Sequence, residues 1–126
     1  MSYIILCNTG SDMLSRINTQ SFMVEDFILC SNGNRIGPHE ITLYKNSILM
    51  ANNYNNTISV INKSQFEEAG SNKKEKNHYG KDGKYNYIKE QKDFYIGAHP
   101  NDIAQCDGNT FVTCGESDSI IVYDLD

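Results

Sequence analysis

A chain of 126 residues is long enough for one modest hydrophobic core and short for several domains. With a mean hydropathy of -0.52 and an opening apolar stretch of only five residues, no helical membrane anchor is expected. The formal net charge of -5 excludes a chain-wide polyanion-binding surface.

In chain order, Met1 to Asn8 lacks the basic n-region and the long apolar core of a secretory leader. Cytoplasmic residence is therefore the expectation, with secretion or surface display if a leader has been removed. Ile5-Leu6-Cys7-Asn8 and then Asp12 to Asn18 are the worn first copy of a phrase that recurs twice. Phe22 to Cys30 follows as a further, more variable strand.

The second copy is the clearest. Gly37-Pro38-His39-Glu40-Ile41 leads to Ile48-Leu49-Met50-Ala51-Asn52 and then to Asn55 through Asn62. A shift of 62 positions turns this into Asn101-Asp102-Ile103, Thr110 to Cys114 and Ser117 to Asp124, and a shift back of 44 gives the first copy. Such periodicity means stacked copies of one small unit, none able to bury its apolar face alone.

Each copy reads as short strands. Apolar residues alternate at period two in Thr57-Ile58-Ser59-Val60-Ile61, and Asn, Asp and Gly clusters bound every run. A first strand (Glu40 to Tyr44; Asp102 to Cys106) turns at Lys45-Asn46 or Asp107-Gly108 into a second (Ile48 to Asn52; Thr110 to Cys114). A third strand follows, and a fourth is expected at Asp93 to Gly97 in the second copy. Ile120 and Val122 on one side, with Ile121 and Tyr123 on the other, predict a third-copy strand sandwiched between layers.

The extra length of the longer shift falls between residues 63 and 91. Ser64-Gln65-Phe66-Glu67 has capping-box spacing for a short helical turn, and Lys81-Asp82-Gly83-Lys84 between tyrosines suits a small hairpin. A mobile surface loop is the competing expectation. Seven of the nine lysines lie between Lys73 and Lys92 against three acids, so this segment is basic and the repeats acidic. Basic residues with interleaved Tyr79, Tyr85 and Tyr87 can track a nucleic-acid strand. The acids dilute that signal, and nucleic acid is not the expected partner.

Four cysteines, at 7, 30, 106 and 114, include no C-x-x-C pair and are expected to be reduced structural thiols.

A four-stranded antiparallel unit repeating at this interval is the pattern of a β-propeller blade. Leu49-Met50-Ala51-Asn52 and Phe111-Val112-Thr113-Cys114 resemble the Tyr-Val-Thr-Asn phrase that names the YVTN-repeat propeller family. The flanking Gly-Pro-His-Glu-Ile and Asn-Asn-Thr-Ile-Ser-Val-Ile-Asn resemble the same blade pattern. Copy three departs at Cys114, where Asn is usual, and copy one lacks its first strand.

The resemblance implies an all-β fold of about two and a half blades in an incomplete ring: 3–30, 38–97 carrying the insertion 63–91, and 101–126. Blade edges and faces left without neighbours imply either self-association or missing blades of a longer chain.

The resemblance also implies that the connection into each first strand lies at a channel mouth. His39 and His99 occupy such connections, with Glu40, Asn101 and Asp102 beside them. Family relatives that use mouth histidines for copper or tetrapyrrole iron make His39 and His99 candidate metal ligands. Lactonase-like relatives make Glu40, Asn101 and Asp102 candidate binding groups. The two histidines do not share one repeat position, however, since His39 aligns with Asn101 and His99 with Gly37. Turn-holding roles are therefore expected first. No nucleophile, triad or metal spacing is present, so no catalytic residue and no cofactor are assigned. The expected function is a non-catalytic scaffold for a protein or small ligand, with a channel-mouth enzyme as the alternative.

Overall fold

The structure is a computed structural model that describes residues 2–30, 34–77, 79–97 and 99–124. It is all-β in character: twelve strands form three separate sheets among the described residues. No helix among those residues is long and apolar enough to cross a membrane.

Sheet two is the central layer and the most regular. Strands β4 (Pro38–Tyr44), β5 (Ser47–Asn52), β6 (Thr57–Asn62) and β9 (Lys92–Tyr95) follow one another antiparallel in the order β4-β5-β6-β9. Period-two alternation sends β5 side chains to both faces. Ile48 and Met50 join one buried cluster, while Leu49 and Ala51 join the other.

Sheet three repeats this design with three strands: β10 (Pro100–Cys106), β11 (Asn109–Cys114) and β12 (Ser119–Asp124). β10 packs along β4 and β5, so the first strands of sheets two and three lie side by side. Ile103, Val112 and Cys114 meet Leu49, Ala51 and Ile58 across the gap.

The expected sandwiching of the last strand is not what the structure contains. Ile121 faces sheet two, and the Tyr123 ring lies 5.9 Å from Phe94. Ile120 and Val122 face outward instead and are 67% and 57% exposed. The two-sided apolar pattern does match a covered strand, but within this chain only sheet two has neighbours on both sides.

Sheet one holds β1 (Tyr3–Asn8), β2 (Met13–Asn18) and β3 (Val24–Leu29) as an antiparallel meander. Tyr3, Ile5, Cys7, Leu14 and Ile28 pack toward Ile48, Met50 and Ile61 of sheet two. The repeat alignment thus survives in space: the second, third and fourth strands of copy one are β1, β2 and β3.

The described residues of the insertion cross back from sheet two to sheet one. Helix α1 (Lys63–Glu68) is capped by Asn62, whose side chain accepts from the Ser64 amide at 2.9 Å. The cap is therefore two residues earlier than the capping-box spacing suggests. After α1 come β7 (Lys73–Lys76) and β8 (Asp82–Tyr87), an antiparallel hairpin. Its turn lies before Asp82 rather than at 81–84, because Gly83 and Lys84 are already in β8. β8 then pairs parallel with β3, giving the order β1-β2-β3-β8-β7.

Apolar anchors fix the insertion. Phe66, Ala69 and Ile88 are buried in the core between sheets one and two. Arg16 is also buried: it pairs with Asp26 and lies 5.1 Å from the Phe66 ring. Asn86 Nδ2 donates to Asp26 at 2.8 Å, so the ion pair is hydrogen-bonded as a buried charge requires.

Candidate functional site

Two features of the repeat concentrate its polar chemistry and its exposed apolar surface: the turns that clamp one sheet to the next, and the uncovered outer faces of sheets one and three.

The clamp begins with a left-handed turn residue at one repeat position. Asp12, Asn56 and Asp118 have φ of 55°, 60° and 50°. Asp and Asn tolerate this region because a short polar side chain can bond locally. Asp12 is fully buried and accepts the amides of Ile36 at 3.1 Å and Gly37 at 2.7 Å. It also pairs with Arg35, whose Nε stands 2.9 Å away. Asn56 repeats the contact by accepting the His99 amide at 2.7 Å.

A second bond runs in parallel. Thr9 donates to the Pro38 carbonyl at 2.8 Å, and Asn53 donates to the equivalent Pro100 carbonyl at 3.2 Å. Each sheet's turn thus grips the segment leading into the next sheet. The unpolished signal for these residues was the repeat itself, which places Thr9 with Asn53 and Asp12 with Asn56. Thr9, Asn53 and Asn56 carry no ligand or catalytic signature, so only that register marks them.

The histidines serve this clamp. His39 Nδ1 donates to the Asn101 carbonyl at 2.9 Å, joining sheet two to sheet three. The carbonyl can only accept, so that bond places a proton on Nδ1. The Asn101 side chain accepts from Asn53 at 2.6 Å. His99 has φ of 52° at the position where Gly37 has 64°. A Cβ on Gly37 would meet the Tyr54 ring at 2.5 Å. In copy three that tyrosine is replaced by Glu116, which lies 3.8 Å from His99 Nδ1. The Gly–Tyr pair of one copy thus becomes a His–Glu pair in the next.

Glu40 and Asp102, equivalent positions, are exposed, and the Asp102 amide donates to Thr113 Oγ1 at 3.1 Å. Among the described residues, no three His, Cys, Asp or Glu side chains gather to hold a metal. His78 lies outside the described residues.

The thiols are free. Burial, reinforced by nearby Glu40, pushes the Cys7 thiol up to about 12, and burial holds Cys30 well above the ordinary thiol range. Both are neutral core groups rather than nucleophiles.

The uncovered faces are the larger feature. On sheet one, Ile4 and Leu6 point away from sheet two and are 44% and 48% exposed, with Phe27 on the same face. On sheet three, Phe111 pairs across strands with Val122, and Ile120 extends the exposed row. No protein-family model matches this sequence, and no curated protein matches it.

Proposed function

We propose that the three sheets are YVTN-like propeller blades and that the chain is a non-catalytic scaffold whose outer blade faces bind another protein. One observation carries this reading: the exposed residues of the end faces are the repeat equivalents of residues that sheet two buries. Ile4 and Leu6 correspond to Ile48 and Met50, which are 1% and 0% exposed. Phe111, Ile120 and Val122 correspond to Leu49, Ile58 and Val60, all packed in the second cluster. Surfaces built to be covered bind when they meet a suitable cover. The repeated clamp supports the blade assignment, because it links successive sheets in the same way twice.

An apolar dye tests the reading. An Ile120→Lys chain retains the Ile4/Leu6 face and is expected to enhance dye fluorescence. Adding Leu6→Lys is expected to abolish that enhancement, while adding Glu40→Gln and Asp102→Asn at exposed positions instead leaves it intact. Equal fluorescence from the single and double lysine chains would contradict the reading.

A further inference from the structure

The two uncovered faces are different from one another, and the repeat says how. Within the chain, the Leu49-type face of one sheet always meets a face of the following sheet that carries Met50-type residues. Leu49 and Ile58 of sheet two meet Val112 of sheet three, and Val112 is the equivalent of Met50. In the same sense, Ile5 and Leu14 of sheet one, equivalents of Leu49 and Ile58, meet Ile48 and Met50 of sheet two.

Sheet three ends the series with its Leu49-type face open: Phe111, Ile120 and Val122. Sheet one begins it with its Met50-type face open: Ile4 and Leu6. The open faces are therefore repeat counterparts of faces that meet twice inside the molecule, except that sheet one has no strand equivalent to β4 and β10.

Charge points the same way. Residues 99–124 contain five acidic residues and no Lys or Arg, whereas the hairpin 73–87 that widens sheet one carries five lysines against two acids. With Asp12, Glu25, Asp26 and Arg16 counted, residues 2–30 and 73–87 carry six basic and five acidic residues, so the end units are +1 and -5. Charge favours their encounter and opposes pairing of two sheet-three ends.

We infer that the partner of these faces is a second copy of this chain, docked head to tail, with sheet three of one copy on sheet one of the next. The inference rests on the scaffold reading above and supplies its partner. Such a heterologous contact closes into a ring when the rotation permits and otherwise extends into a filament.

A complementation experiment tests it by light scattering on a sizing column. Leu6→Lys blocks one face and Ile120→Lys blocks the other; both side chains are substantially exposed, and circular dichroism checks that the variants fold. Each variant alone is expected to run as a monomer of 14.3 kDa, with association at least about tenfold weaker than that of the unsubstituted chain. An equimolar mixture retains one intact face on each variant and is expected to form a two-copy complex. A mixture that stays monomeric overturns the inference. So does one variant that still self-associates, which would mean like faces pair. If the mixture stays monomeric while the dye responds as described, the second copy is excluded as partner and the scaffold reading stands. Failure of the dye response removes both.

Discussion

Asp12 shows how much one side chain carries in this design. It is a fully buried carboxylate that accepts two backbone amides and pairs with Arg35. The Arg35 guanidinium is itself held between the rings of Tyr54 and Tyr79, at 4.7 Å and 4.9 Å. Asp12→Ala strands two buried N–H groups and is expected to cost about 3 kcal/mol or more. Asp12→Asn keeps an amide oxygen for those donors, as Asn56 does in the next copy. Its expected cost is nearer about 1 kcal/mol, because the lost ion partner is partly exposed. Urea unfolding of both variants checks the order; equal losses would mean that the ion pair, not the amide clamp, dominates. Other positions change in pairs. Asn8 donates to Ser15 at 2.6 Å and Asn52 to Ser59 at 2.7 Å, whereas copy three has Cys114 and Ile121 at these positions. The departure at Cys114 is thus matched by its neighbour, and an apolar contact replaces a buried polar one. These couplings were only half legible in the sequence. The alignment puts the residues in register, but it does not say which side chains reach across to the next sheet.

At the scale of elements, the strands were legible, and so were the insertion's helical turn and hairpin, but not how they dock. Period-two runs bounded by Asn, Asp and Gly gave β4, β5, β6, β10, β11 and β12 to within two residues at either end. The segment 63–91 hides its docking because its anchors are few and scattered. Phe66, Ala69 and Ile88 sit among lysines and tyrosines, so local composition resembles a solvated loop. Its decisive contact, the parallel pairing of β8 with β3, joins residues far apart in sequence and leaves no periodic trace. The docked insertion makes a direct prediction. Phe66→Ala is expected to destabilise the chain by about 3–5 kcal/mol, as a large core truncation does. A loop residue on a solvated surface would change stability by no more than about 0.5 kcal/mol. Denaturant midpoints at matched slopes separate the two results. The insertion also alters sheet one itself, since β7 and β8 extend its outer edge and place a basic hairpin there.

Across the whole molecule, the three sheets form a short series with a covered middle and two open ends. Sheet two displays the finished state: Ile48 and Met50 are sealed on one side, and Leu49 and Ile58 on the other. The outer sheets each have one such face without a cover. The repeat makes the open ends readable in the sequence, but not the direction in which the last strand faces. Ile120, Ile121, Val122 and Tyr123 are apolar on both sides because the repeat unit is built for neighbours on both sides. The absolute mass of the unsubstituted chain, followed by light scattering across a wide concentration range, tests this account most directly. The predicted result is a mass above 14.3 kDa, a discrete multiple for a closed ring or a growing series for a filament, that dissociates on dilution. A folded monomer of 14.3 kDa at every concentration would contradict the head-to-tail account.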